Sequence, residues 1–216
     1  MLAKEHGQLT ERAPFDDAVH EAVLAAVRRQ VETGIDVVND GEMGRVDYTV
    51  YVAEHLEGFD GTSGVLRNPD MDEFPEWSEV LRRMSSPFGR RPACTGPVGW
   101  RNFGAVESDL ATLHGAAEAV GAEEVFLTAA SPGQIARFLE NQYYSSHEEY
   151  VFALADVMRR EYEAIVEAGF LLQLDCPDLA LGRHQQFGDR ALDDFRGIAQ
   201  QHVEALNHAT QDIAPE

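Results

Sequence analysis

The segment that most constrains the fold is a short apolar run that ends on a carboxylate. Residues 170–174 are apolar except for Gln173, Asp175 follows them, and Pro177 blocks continuation of the strand because proline has no backbone N–H. A buried parallel strand that delivers a carboxylate at its carboxyl end is how α/β proteins build active sites. The segment therefore predicts an α/β fold with functional residues at one edge of a parallel sheet.

The order helix, glycine, strand recurs along the chain. Periodicity predicts helices over 14–34, 105–120, 147–168 and 193–208, and strands over 35–40, 93–98, 124–130 and 170–175. This alternation is typical of parallel strands covered by helices. Four such units are half of an eight-stranded barrel and leave two strand edges open. We expect a single domain over 1–216 that is a fragment, pairs with another chain or forms a small open sheet.

About fifty residues separate the first two predicted strands. This segment, 43–92, is rich in glycine, proline and acidic residues. A connection of this length is unusual in a compact domain and is typically a lid or an inserted hairpin. It leaves the carboxyl end of its strand, where such folds keep their chemistry, so we expect an insertion or lid beside the site.

The acidic charge restricts the choice of partners. The chain has 38 acidic residues, 17 arginines and lysines, a formal net charge of −21 and a single lysine, Lys4. Such a surface repels nucleic acid, and it indicates either a solvated acidic shell or a cationic partner. No apolar run is long enough to span a membrane. With two cysteines, Cys94 and Cys176, and no signal peptide, a reducing cytoplasmic setting is expected.

Two carboxylates follow the first predicted strand. Gly41 permits a sharp turn, and strand alternation would place Asp40 and Glu42 on the same side. Carboxylates in this position can bind a substrate ammonium, ligate a metal or act as a general base. An equally good interpretation is structural, with a helix N-cap and an ion pair to Arg45.

Asp175 is the stronger candidate for a functional carboxylate. Gln173, two residues earlier, shares its face of the strand, and a polar residue inside an apolar strand costs free energy unless it is satisfied. A structural hydrogen bond to a neighbouring loop is the alternative.

Two other features carry weaker signals. The turn over 131–133, Ser-Pro-Gly, either holds an anion at a helix N-terminus or is only a turn. Cys94 and Cys176 show no metal-binding spacing, so we interpret them as small buried hydrophobic residues rather than as zinc ligands.

Six motifs occur together in an order that resembles one known family. They are Gly34-Ile-Asp-Val-Val-Asn-Asp-Gly-Glu42, Cys94-Thr-Gly-Pro-Val98, Thr128-Ala-Ala-Ser-Pro-Gly133, Asn141-Gln-Tyr-Tyr144, Glu161-Tyr-Glu-Ala-Ile-Val-Glu-Ala-Gly169 and Gln173-Leu-Asp-Cys-Pro-Asp-Leu-Ala180. Over roughly residues 15–210 they resemble the catalytic domain of the cobalamin-independent methionine synthases. The resemblance is to the branch that includes the zinc-dependent epoxyalkane:coenzyme M transferases.

The resemblance implies a (β/α)8 TIM barrel in which zinc activates a thiol for alkyl transfer. In the methionine synthases the acceptor is homocysteine and the donor is a methylated folate. By the same resemblance, Glu42 matches a carboxylate that contacts the amino-acid thiol, and Asp175 matches the aspartate that holds its ammonium group.

The chain also departs from the family pattern. A His-x-Gly-Ser-Leu-Pro-Arg-Pro-like segment opens family members, and none precedes Pro14. The family's zinc ligands begin with a His-x-Cys pair on the sixth strand, and the sequence ends at Glu216, before the expected position of that strand. Cys176 stands where many relatives carry a second acid. We therefore expect the zinc ligands to be absent from this chain.

Three hypotheses follow from the sequence. The first is a fragment of a zinc-dependent methyltransferase, inactive alone, that binds a thiol and a folate-like donor. The second is a non-catalytic or split-subunit protein that is a homodimer or pairs with a complementary half-barrel chain. The third is a metal-free barrel lyase, which strand-tip carboxylates also permit.

Overall fold

The computed structural model describes residues 13–45, 47–64, 69, 73–84 and 91–214. Parts of the 43–92 segment, the single lysine Lys4 and the last two residues of the sequence lie outside this range. In the described part of the chain, no helix is both long enough and apolar enough to cross a membrane.

All four predicted helices are present. The helices are α1 (Ala13–Glu32), α2 (Tyr48–His55), α3 (Pro75–Met84), α4 (Gly104–Val120), α5 (Pro132–Phe138), α6 (His147–Glu167), α7 (Asp178–Gln185) and α8 (Leu192–Thr210). A glycine with a left-handed backbone conformation follows α1, α4 and α6: Gly34 (φ 86°), Gly121 (φ 69°) and Gly169 (φ 82°). Residues other than glycine rarely adopt this conformation, so glycine ends these helices at the expected positions.

The strands are shorter and more numerous than the sequence pattern predicts. They are β1 (Val37–Val38), β2 (Leu56–Glu57), β3 (Gly61–Ser63), β4 (Arg91–Cys94), β5 (Gly99–Trp100), β6 (Glu124–Ala130), β7 (Glu140–Asn141) and β8 (Leu171–Asp175). Of the predicted strands, 124–130 and 170–175 are confirmed almost residue for residue. The strand over 35–40 is reduced to two paired residues.

Three of the four predicted strands form one parallel sheet in the order β1-β6-β8. The fourth, predicted over 93–98, does not join it. Its residues form the end of β4, which pairs antiparallel with β3 and parallel with β7. Because β1 hydrogen-bonds directly to β6, no space between them remains for β4. The expectation of four parallel strands in one partial barrel is therefore wrong for this strand.

The core lies between the parallel sheet and the long helix α6. One face of α6 is buried through Tyr150, Leu154, Met158, Tyr162 and Ile165. These side chains recur three or four residues apart, which is the spacing of one helix face. Together with strand residues such as Val38 and Leu127 they belong to a single apolar cluster. This packing fixes the position of the strands along the axis of α6.

Both edges of the parallel sheet, β1 and β8, are unpaired in the part of the chain that the structure describes. Strand β8 pairs with β6 on one side, and no described strand pairs with its other side. Its leucines are only partly buried. Leu179, Leu181 and Leu192, which follow in the chain, are exposed. An open strand edge and exposed apolar side chains usually have a covering element or a partner.

Candidate functional site at the carboxyl edge of the sheet

The register of the parallel sheet places the ends of β6 and β8 side by side. Val38 pairs with Val125 at the end of β1, and Ala130 pairs with Asp175 at the ends of β6 and β8. The backbone N–H of Ser131 then donates to the Asp175 carbonyl at 3.1 Å. The residues that follow β6 and β8 therefore share one edge of the sheet, whereas Val38, the last residue of β1, lies level with the second residue of β6.

A tight turn follows β1. Gly41 (φ 63°) and Glu42 (φ 55°) both have left-handed backbone conformations. Asn39 Oδ1 accepts from the Gly41 N–H at 2.9 Å, and Asp40 Oδ1 accepts from the Glu42 N–H at 3.0 Å. Because the chain turns here, strand alternation does not set the directions of the two carboxylates: Asp40 is buried and Glu42 is exposed. A left-handed residue other than glycine is uncommon, and such residues often occur at functional sites.

Arg45 fixes this turn to the tip of β6. Its Nη2 donates to Asp40 Oδ2 at 3.0 Å, and its Nη1 donates to the Thr128 carbonyl at 3.0 Å. The arginine side chain is only 5% exposed. The ion pair that the sequence allowed as the structural interpretation is thus confirmed for Asp40. This carboxylate holds the turn that presents Glu42.

A second carboxylate, Glu161, lies in the same buried cluster. It extends from the middle of α6, is 2% exposed, and its Oε2 has no hydrogen-bond partner. Burial is the main cause that raises the Glu161 pKa to about 7; Arg45 and a hydrogen bond with Tyr51 oppose the rise, and Asp109 adds to it. A carboxyl group with such a pKa holds a proton near neutral pH. The sequence analysis placed Glu161 in a motif but did not single it out.

Asp175 occupies the end of β8 and is partly exposed. Gln173 Nε2 donates to Asp175 Oδ1 at 3.2 Å, which confirms that the two side chains share one face. The neutral amide orients the carboxylate without neutralising its charge. An oriented carboxylate at a strand tip can accept hydrogen bonds from a substrate ammonium.

A buried hydrogen-bonded chain supports the loop after Asp175. Ser131 Oγ donates to Asp178 Oδ1 at 2.8 Å, and His202 Nδ1 pairs with Asp178 Oδ2 at 2.7 Å. His202 Nε2 meets His147 Nε2 at 2.7 Å, so one of these two nitrogens carries the shared proton. The His147 pKa is lowered to about 4, chiefly by burial and to a smaller extent by the neighbouring His202. These hydrogen bonds connect the end of β6 to the helices α6, α7 and α8.

The turn over 131–133 serves this structural network. Ser131 Oγ accepts from the Gln134 N–H at 3.1 Å and so caps α5. Gly133 packs so closely against Asp178 and His202 that a β-carbon here would overlap both side chains. The turn-chemistry interpretation is therefore supported for Ser131.

The cysteines do not assemble a metal site. Cys94 Sγ donates to the Gly96 carbonyl at 3.3 Å, and Cys176 Sγ donates to the Leu174 carbonyl at 3.6 Å. Burial raises the pKa of both thiols, which disfavours the thiolate that zinc requires. Among the described residues, no three histidine, cysteine or acidic side chains come close enough to hold a metal ion. The two cysteines therefore do not fit a zinc site.

A small pocket of about 90 Å³ lies among α1, α2 and α4. Asp16, His20, Tyr51, His55 and Asp109 line part of its wall. Neither Glu42 nor Asp175 does, so this pocket is separate from the strand-tip carboxylates. The candidate functional site lies at the strand ends, where the parallel sheet positions Asp175.

Comparison of the sequence with known proteins identifies relatives of this chain. The methionine synthase of Thermococcus kodakarensis is 27% identical over 97% of this chain and 53% of its own length. That of Sulfolobus acidocaldarius is 27% identical over 76% of this chain and 42% of its own length. The chain thus spans about half the length of these curated relatives. No family model matches it.

Solved structures show the same fold. A B12-independent methionine synthase from Shewanella sp. W3-18-1, in complex with selenomethionine, superposes with a TM-score of 0.70 at 21% identity. The match covers 97% of this chain and 52% of that one. A putative vitamin-B12 independent methionine synthase from Listeria monocytogenes gives a TM-score of 0.62 at 19% identity, over 97% of this chain and 55% of that one. The resemblance to the methionine synthases seen in the six motifs is confirmed: this chain is similar to proteins named methionine synthase over about half of their length.

Proposed function

We propose that this chain carries the amino-acid-binding part of a site that transfers a methyl group to a thiol such as homocysteine, in methionine biosynthesis. The observation that carries the proposal is the Asp175 carboxylate, oriented by Gln173 at the carboxyl end of β8. The relatives named methionine synthase support the reaction class. The proposal sets the reaction in the cytoplasm, where thiols stay reduced.

Each candidate residue has a distinct role in this proposal. Asp175 accepts hydrogen bonds from the substrate ammonium group. Glu42, presented by the turn that Asp40 and Arg45 hold, contacts the amino-acid thiol from the tip of β1. A methylated folate is the proposed donor. The segment 43–92, which contributes α2, β2, β3 and α3, is proposed to border or cover the bound substrate.

The chain supplies part of such an enzyme. Because it spans about half of its relatives' length, we propose that the remaining strands come from further sequence or from a second polypeptide. Zinc, which the resemblance implies as the activator of the thiol, would be held by ligands outside the described residues. On this proposal the chain alone binds the amino acid but does not transfer methyl groups.

The open edge of β8 favours a second candidate, a split enzyme. Partly exposed leucines on β8 and exposed leucines after it leave apolar surface for a partner to cover. A complementary half-barrel chain fits this surface better than a second copy, because two copies would each carry a net charge of −21. Sedimentation of the chain alone and after co-expression with a complementary half tests this. A monomer that forms a heterodimer supports the split enzyme, and a stable homodimer contradicts it.

We expect the chain to bind L-homocysteine, and we expect Asp175→Asn to weaken binding at least tenfold. The reason is the loss of a charge-assisted hydrogen bond, which contributes about 1.5–3 kcal/mol. Glu42→Gln should weaken binding by a smaller factor. Titration calorimetry under reducing conditions measures both changes.

Glu124→Gln is the matched control. Glu124 is an exposed carboxylate at the opposite, amino end of β6, so its removal changes the net charge equally without touching the strand tips. Equal weakening by Glu124→Gln and Asp175→Asn would mean that only net charge matters. Unchanged affinity in Asp175→Asn would remove Asp175 from the site.

A further inference from the structure

Two guanidinium groups share one aromatic ring beside the candidate site. Arg91 Cζ lies 4.8 Å from the centre of the Phe138 ring, and Arg137 Cζ lies 4.3 Å from the same centre. Arg137 is 6% exposed. In a chain with 38 acidic residues, two cations held together on one ring are an unusual local concentration of positive charge.

The fold brings these residues together through strand register. In the parallel pair β4–β7, Ala93 lies opposite Glu140. Arg91 lies two residues before Ala93, and Phe138, the last residue of α5, lies two residues before Glu140. The same register therefore places Arg91 opposite Phe138. Arg137 precedes it, so the cluster joins the start of β4 to the end of α5.

Among the residues that the structure describes, no carboxylate bonds to either arginine of the pair. Arg137 Nε donates to Gln134 Oε1 at 2.9 Å, and its Nη1 donates to Gln185 Oε1, so both partners are neutral amides. Among the described residues, Arg91 Nη1 is buried without a hydrogen-bond partner. No carboxylate in this part of the chain forms an ion pair with either arginine.

Nearby acids act on the pair only from a distance. Asp47 and Asp178 are the acids that raise the pKa of Arg91 and Arg137 respectively. Asp47 already caps α2 by accepting from the Val50 N–H, and Asp178 is occupied by Ser131 and His202. Burial lowers the pKa of both arginines, and Arg91 further lowers that of Arg137. Burial therefore disfavours the charged form of both arginines, and repulsion by Arg91 adds to this effect at Arg137.

We propose that Arg91 and Arg137 form a binding site for the carboxylate or phosphate group of a small anionic molecule. A guanidinium presents a planar fork of N–H donors that matches either group. Arg91 supplies the N–H that lacks a partner, and the neutral glutamines hold Arg137 in place. The site stands on this geometry alone and does not depend on which reaction the strand tips support.

The position of the pair suits a molecule that also reaches the strand tips. Helix α5 begins beside Ser131, whose N–H donates to the Asp175 carbonyl, and it ends at Phe138. From Ser131 to Arg137 the helix rises about 9 Å at 1.5 Å per residue. A small molecule with an anionic group at one end can span this distance.

The test is titration of the purified chain with inorganic phosphate and, separately, with glutarate, at constant ionic strength set with sodium chloride. Calorimetry gives the affinity, and thermal unfolding gives the shift in Tm. We expect saturable binding of at least one anion with a rise in Tm. Arg91→Gln should weaken binding at least tenfold.

Two further variants keep the result interpretable. Arg101→Gln removes an exposed arginine paired with Asp60 and should bind like the wild type. Arg91→Lys keeps the charge but loses the fork, so it should also weaken binding even if Arg91→Gln fails to fold. Saturation by phosphate alone assigns a phosphate site, and saturation by glutarate alone assigns a carboxylate site. Binding of neither anion, or equal binding by wild type and Arg91→Lys, overturns the proposal.

Discussion

Replacing Gly133 by alanine is expected to lower the free energy of unfolding by about 4 kcal/mol, since overpacking a core costs about 1–3 kcal/mol and leaving a buried hydrogen-bonding group without its partner costs about 1–3 kcal/mol. The added β-carbon would overlap the Asp178 carboxylate and the His202 ring. Both side chains are at most 3% exposed, so neither can move into solvent without separating the Asp178–His202 pair. Chemical denaturation monitored by circular dichroism measures the change.

Gly115→Ala is the matched control for this prediction. Gly115 lies on an exposed face of α4, and a β-carbon there meets nothing within 4 Å. Alanine should stabilise the protein by about 0.5–1 kcal/mol, because glycine is the weaker helix former. If Gly133→Ala were as harmless as Gly115→Ala, the buried network around Asp178 would not be packed as described.

The effect of Glu161→Gln on the free energy of unfolding is expected to depend on pH. Relative to the wild type, the variant should be about 3 kcal/mol more favourable at pH 8 than at pH 4, because one pKa unit corresponds to about 1.4 kcal/mol. The fold raises the Glu161 pKa from 4.5 to about 7, chiefly through burial. The folded protein therefore binds this proton more tightly than the unfolded chain does. The stabilising contribution is complete below about pH 4.5 and is lost as the pH rises through about 7. Glutamine carries no such proton, so its advantage grows over that window.

The difference between variant and wild type is the informative quantity, because His147 titrates in the opposite sense. Its pKa is lowered from 6.5 to about 4, so its contribution is lost as the pH falls through about 4. In the wild type the two effects partly cancel. Denaturation curves from pH 4 to 8 for wild type, Glu161→Gln and His147→Gln separate them. A constant difference between wild type and Glu161→Gln across that range would contradict the buried, proton-holding Glu161.

The parts of the fold that the sequence predicts well are those set by local patterns. The strands β6 and β8 and the helices α1, α4, α6 and α8 carry clear periodicity and glycine stops. A strand is also predicted over 93–98, but the pairing of its first residues depends on β3, about thirty residues earlier. A local pattern shows that a strand exists and does not identify its partner.

The same limit applies to the site. Asp175 with Gln173, and Asp40 with Arg45, are two to five residues apart, and the sequence identified both relationships. Asp178 meets Ser131 across 47 positions, and His202 meets His147 across 55. Arg91 reaches Phe138 only through the pairing of β4 with β7. Nothing in the spacing of these residues indicates the contact, so the buried network and the arginine pair emerge only from the fold.

The measurement that tests the central claim most directly is a crystal structure of the chain grown with L-methionine, the product of the proposed reaction. The account predicts the amino acid at the carboxyl edge of the sheet, with its ammonium nitrogen within hydrogen-bonding distance of the Asp175 carboxylate and its sulfur facing the turn that carries Glu42. Methionine bound elsewhere, or strand tips that stay empty at saturating concentration, would contradict the assignment of Asp175 and Glu42 as the amino-acid site.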